Sequence, residues 1–162
     1  MKLALVLFLI LSFMAAFVLG LVWTLKSPGN SVAVTVLIII CIAECPAIMM
    51  GVFHGLWRPV AKQFPEREHG PDAVTRNFQS FGLGIINMGL SIHATVDDSY
   101  LHIRPVTWLR VMGASPMSIP WESMTPTGKR GRAVRLDNGT RLDGPKWCFK
   151  MLNAADSNDS KP

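Results

Sequence analysis

An uncharged run from Leu3 to Leu25, bracketed by Lys2 and Lys26, constrains this chain more than any other feature of its 162 residues. As a helix rising 1.5 Å per residue, the run spans about 34 Å, against about 30 Å for the hydrocarbon core of a bilayer. Lys26-Ser27-Pro28-Gly29-Asn30-Ser31 then has the composition of a turn, and a second apolar run extends from Val32 to about Phe53. Between residues 3 and 57 the only charges are Lys26 and Glu44, and nearly all the rest lie from Arg58 onward. This split predicts a membrane anchor joined to a soluble domain. A secretory signal would have an apolar stretch of about 7–15 residues and a small-residue cleavage site. The first run is longer, and Ala15 to Gly20 offers a poor site, so we expect a retained helix.

The short turn makes the two runs antiparallel neighbours, a transmembrane α-hairpin. Arg58, Lys62, Arg67 and Arg76 flank the second run, whereas the intervening loop holds only Lys26. The positive-inside rule then puts both termini in the cytoplasm, with Trp23 and Trp57 as interfacial anchors. Glu44 and Pro46 interrupt the second run. An ionised carboxylate at that depth costs at least a few kcal/mol, so Glu44 is expected to make an intramembrane polar contact, either with backbone freed by Pro46 or with a neighbouring helix. Cys41, Cys45 and Cys148 form neither a disulfide framework nor a Cys-x-x-Cys metal motif.

Past the anchor, a glycine at 55, Trp57, Val60-Ala61 and Phe64-Pro65 are followed by Val96-Asp97-Asp98-Ser99-Tyr100-Leu101 and by Ser118-Ile119-Pro120-Trp121-Glu122. This pattern resembles a group of bacterial two-helix membrane proteins with a cytoplasmic β-domain similar to pleckstrin-homology domains. The resemblance covers about residues 55 to 125. It implies a multi-pass protein of the bacterial inner membrane, and the group offers no catalytic residue to carry over.

The residues themselves support a β-rich domain. Leu90, Ile92, Ala94 and Val96 share one face, Asp97-Asp98-Ser99 turns the chain, and Leu101 and Ile103 resume the apolar face with His102 and Arg104 opposite. Val106 to Met112 is expected to be a further strand. Asn138-Gly139 is the strongest hairpin signal, with both turn residues at positive φ. Pro145 to Asn153 reads as a closing helix. The expected architecture is a small antiparallel β-barrel or roll capped by a C-terminal helix, with Trp108, Trp121, Trp147 and Phe149 as bulky core members. Its boundaries are an anchor over 1–57, a juxtamembrane linker over 58–77, the β-domain over 78–153 and a polar tail over 154–162.

His93 and His102, near Asp97 and Asp98, suggest an acid–base or metal site. Both histidines, however, alternate with the core face and should point to solvent or to the other sheet face, and turn aspartates need no function. No Ser/His/Asp order, phosphate-binding glycine loop or zinc spacing stands out, so no catalytic residue, metal or cofactor is expected. Lys129, Arg130, Arg132, Arg135 and Arg141 gather around one loop and hairpin. They fit anionic lipid headgroups, at about 1 kcal/mol per cation near the surface, or a protein partner. Without interleaved aromatics the cluster does not fit nucleic acid. The expected function is a non-enzymatic, membrane-anchored binding module. The alternative is an accessory subunit of a membrane transport or enzyme complex, assembled through the hairpin and Glu44.

Overall fold

The computed structural model describes residues 2–27, 29, 31–127 and 131–152. The chain divides into two compact units, Met1–Leu56 and Trp57–Pro162. The first holds helices α1 (Lys2–Lys26) and α2 (Ser31–Val52). The helices touch where Leu37 of α2 lies over Gly20 of α1; a Cβ at position 20 would come within 2.7 Å of Leu37 Cδ1. Pro46 sits inside α2 without ending it. Among the described residues one helix is long and apolar enough to cross a membrane, running Ser31–Gln63; the described apolar part of the first is the shorter Ile10–Lys26. One candidate span thus stands where the sequence predicts two.

A π-helical turn, Phe53–Trp57, leads to helix α3 (Arg58–Gln63). Pro59 suits the first turn of α3, where a missing N–H costs nothing. The second unit is built on one seven-stranded antiparallel sheet. Its strands are β1 (Val74–Leu83), β2 (Ile86–Val96), β3 (Tyr100–Pro105), β4 (Met117–Pro120), β5 (Met124–Pro126), β6 (Ala133–Leu136) and β7 (Arg141–Asp143). The spatial order is β4-β3-β2-β1-β7-β6-β5. The two edge strands, β4 and β5, follow one another in the chain through a single 3₁₀ turn, Trp121–Ser123. The sheet therefore curls until its edges approach each other, as a near-barrel. Leu101, Ile103, Ile119, Leu136 and Leu142 fill the inside, and the 3₁₀ turn Lys146–Phe149 adds Cys148 and Phe149.

Four expectations change. Residues 58–77 are not a free linker: Trp57, Val60, Ala61 and Phe64 are buried and β1 already starts at Val74. Trp57 is 0% exposed and donates from Nε1 to the Ser115 carbonyl at 2.7 Å, so it belongs to the core of this unit and is not an exposed interfacial anchor. Residues 107–111 form helix α4 (Thr107–Val111), not a strand. Its end explains why: Gly113, at φ 105°, lets its own N–H reach Arg110 O and that of Ala114 reach Leu109 O, a Schellman stop. Trp108 accordingly faces outward, 54% exposed. The closing segment is helical over the described residues, a 3₁₀ turn at 146–149 running into α-helix at 150–152, but Cys148 and Phe149, not Trp147, are its fully covered members.

Candidate functional site

Alternation along β3 places Leu101 and Ile103 inside and Tyr100, His102 and Arg104 on the outer face. The register extends that outer face into polar rows. Thr75 pairs with Thr95, Thr95 with His102, and His102 with Ser118, one row across β1, β2, β3 and β4. A second row sets His93 opposite Arg104. Between Arg76 and Gln79 strand β1 carries a bulge, so Asn77 and Phe78 share the place opposite His93. Phe78 takes φ 53°, a strained value for a bulky residue. Its ring meets the His93 ring at 5.2 Å, while Asn77 Oδ1 lies 2.8 Å from His93 Nδ1.

These rows floor a cleft of about 770 Å³, walled by Glu66, Arg67, Glu68 and His69. The wall is the stretch between α3 and β1. It bridges to β4 at Pro65–Met117 and then crosses β3 and β2 to reach β1. Glu66 pairs with Arg104 at 3.1 Å, the Arg67 guanidinium lies over Tyr100, and the His69 ring stands edge-on to His102.

His102 lies on the outer sheet face, one of the two places expected for it, and is covered there, only 7% exposed. Its Nε2 is 2.8 Å from Asp97 Oδ2 and its Nδ1 is 2.8 Å from Ser118 Oγ. Asp97 also accepts the backbone N–H groups of Ser99, Tyr100 and Gly70. Partial burial by itself would raise the Asp97 carboxyl, but the His102 contact and these three amides outweigh it and hold the group at about 2, below its ordinary 3.8. An ionised carboxylate only accepts, so His102 Nε2 carries a proton. In the neutral ring Nδ1 then accepts from the Ser118 hydroxyl, whose oxygen accepts the Arg67 N–H at 2.8 Å. The result is one directed chain, Arg67 to Ser118 to His102 to Asp97. Asn77 Oδ1 demands the opposite tautomer of His93, with the proton on Nδ1. We expect ¹⁵N NMR of the histidine rings to show Nε2–H for His102 and Nδ1–H for His93 in their neutral forms. Matching tautomers would contradict this polarity.

Although the three residue types are those of nucleophilic hydrolases, the arrangement here is a fastening. Ser118 is 2% exposed and its oxygen is already occupied by the Arg67 amide, whereas a nucleophile needs an approachable oxygen. This chain is not legible in the sequence, because Asp97 and Ser118 are 21 positions apart and only the β3–β4 register joins them. The usable signal was the parity of Thr95, His102 and Ser118 on one face; the covering segment had no signal at all.

Of the basic residues, Lys129 and Arg130 lie outside the described residues. Arg132, Arg135 and Arg141 are exposed. Arg135 and Arg141 stand directly opposite each other in the β6–β7 register. Asp143 grips Arg141 through both Nε and a terminal nitrogen, while Arg132 and Arg135 make no ion pair among the described residues. The hairpin loop is Asp137-Asn138-Gly139, with only Gly139 at positive φ (79°). It is thus a three-residue loop ending in a left-handed glycine, not the two-residue turn expected. Asn138 Nδ2 donates to Gln63 Oε1 at 2.8 Å, tying the loop to α3. In the first unit, Trp23 is 44% exposed, and Glu44 has one covered carboxylate oxygen with no hydrogen-bond partner among the described residues. Cys148 is buried, and burial pushes its thiol up to about 12 despite the nearby Arg76 charge. Among the described residues no group of three or more His, Cys, Asp or Glu is placed to hold a metal ion. No family model, curated protein or solved structure matches this chain.

Proposed function

We propose that this chain is a non-enzymatic, membrane-anchored binding module of the bacterial inner membrane. Its two apolar helices form the anchor, with both termini cytoplasmic, and its β-unit meets anionic headgroups through the arginine hairpin. One observation carries this reading: the Asn138–Gln63 hydrogen bond holds the hairpin loop against α3, whose exposed Arg58 and Lys62 directly follow the apolar run. The cations that the sequence scatters over residues 58–62 and 132–141 therefore belong to one neighbourhood of the β-unit. Asp143 pairs with Arg141 and offsets the like charge of Arg135 directly opposite it, which leaves Arg132 and Arg135 without an ion pair among the described residues. A surface that receives phosphate groups gives these two a use. Each cation adds about 1 kcal/mol near an anionic surface, screened over about 8 Å at physiological salt.

The test uses the full chain in bilayer discs of phosphatidylcholine, with and without phosphatidylglycerol. Amide exchange at residues 135–141 should slow in the anionic discs. The effect should fade at high salt and shrink when Arg132, Arg135 and Arg141 are replaced by Ser. Identical exchange in both bilayers would remove the lipid role and leave a protein as the hairpin's partner.

A further inference from the structure

The wall of the outer-face cleft differs from the rest of the β-unit in how it is held. Phe64, at its start, is buried, but Pro65, Glu66, Arg67, Glu68, His69, Pro71 and Asp72 are all exposed. No apolar side chain fastens this stretch. Past the backbone bridge at its root, Pro65–Met117 with the Ser118 N–H on the Phe64 carbonyl, its two hydrogen-bonded anchors both end on the chain described above: the Arg67 N–H on Ser118 Oγ at 2.8 Å and the Gly70 N–H on Asp97 Oδ2 at 3.3 Å. The Glu66–Arg104 pair and the Arg67–Tyr100 stacking are exposed contacts of small worth. Segments held by few polar contacts open at lower free energy than the core they cover.

We infer that residues 65–72 are a latched strap, released as one piece from the Asp97–His102–Ser118 chain, and that its release opens the buried polar side chains Thr95, His102 and Ser118 to the cleft. The geometry favours a single latch over a set of independent contacts. Asp97 and Ser118 are both bonded to His102, so losing either end leaves a ring nitrogen without its partner and weakens the other. In the open state water satisfies all of these groups. In the closed state each must find its protein partner, because a covered polar group left unpaired is costly. The strap is continuous with α3, so the element that seats Trp57 leads directly into the gate. This inference concerns the β-unit alone and does not depend on the anchoring proposed above.

Hydrogen-exchange NMR on the full chain in detergent micelles tests it. In the unmodified protein the Arg67 and Gly70 amides should exchange with similar protection, above that of the Glu68 amide and below that of the Ile103 amide. Ser118→Ala removes the oxygen that accepts the Arg67 N–H. It should speed exchange at Arg67 and Gly70 about tenfold, relative to Ile103, for one lost hydrogen bond. If that variant does not fold, Glu66→Gln is read instead, where the same two amides alone should speed about twofold. Two results overturn the inference. Arg67 and Gly70 no better protected than Glu68 would mean there is no latch. Arg67, Gly70 and Ile103 accelerating by the same factor would mean the strap opens only when the whole unit unfolds.

Discussion

Trp57→Ala is expected to remove about 3–5 kcal/mol from the stability of the β-unit, the range for truncating a fully buried aromatic side chain. Against a total of about 5–15 kcal/mol for a domain, that loss is a large fraction of the stability and raises the unfolded population more than a hundredfold. The expectation follows from position. Trp57 is the first residue of its unit and wholly covered. It shares the α3 side of the unit with buried Val60, Ala61 and Phe64, and its indole N–H is spent on the Ser115 carbonyl. Alanine leaves a cavity and an unpaired carbonyl together. Trp57→Phe keeps much of the apolar contact and loses the hydrogen bond, so it should cost less, about 1–2 kcal/mol. Denaturant unfolding of the detergent-solubilised chain, followed by near-ultraviolet circular dichroism, measures both. A side chain serving only as an interfacial anchor predicts a different outcome: unchanged unfolding of the β-unit in either variant.

The second large effect is at Asp97, where it depends on pH. The folded-state value of about 2 lies below the ordinary 3.8, so ionised Asp97 stabilises the fold. That contribution is complete above about pH 5 and is lost as pH falls through about 4 to 2, in total on the order of 2 kcal/mol. Asp97→Ala should cost more, about 3–5 kcal/mol at neutral pH, because it orphans the His102 Nε2–H and three backbone N–H groups at once. Asp97→Asn isolates the charge. Its stability deficit relative to the unmodified protein should be largest near neutrality and should close as pH is lowered toward 2. A deficit that stays constant over this range would show that the carboxylate charge contributes nothing and that only the shape of the turn matters.

The exchange of a strand for a helix at 107–111 shows where local reading stops. Val106 to Met112 is apolar enough for either form, and short apolar runs do not distinguish the two by periodicity. Gly113 decided it by allowing a left-handed stop, and Pro105 had already ended β3. The bulge at Asn77 and Phe78 was hidden for a related reason. One inserted residue changes which side chains share a face, and only the partner strand reveals that it is there.

Features that depend on near neighbours are legible in the residues alone. The uncharged runs specified two long helices, with one candidate span among the described residues. Alternation over Ile92–Val96 and Leu101–Ile103 specified a hairpin and its inner face, whereas Leu90, placed on that face by the same pattern, is 69% exposed at φ 50°; Asp97 capped the turn as aspartates do. Asn138-Gly139 marked a real hairpin, though not its loop length. Long-range packing set the rest. It took Trp57 out of the anchor and into the β-unit, it carried residues 65–72 across the outer face, and it joined Asp97, His102 and Ser118 into one chain. The physical reason is common to all three. Whether a polar or aromatic side chain on an outer face meets water or protein depends on which distant segment covers that face, and covering is a property of the packed fold, not of the residues being covered.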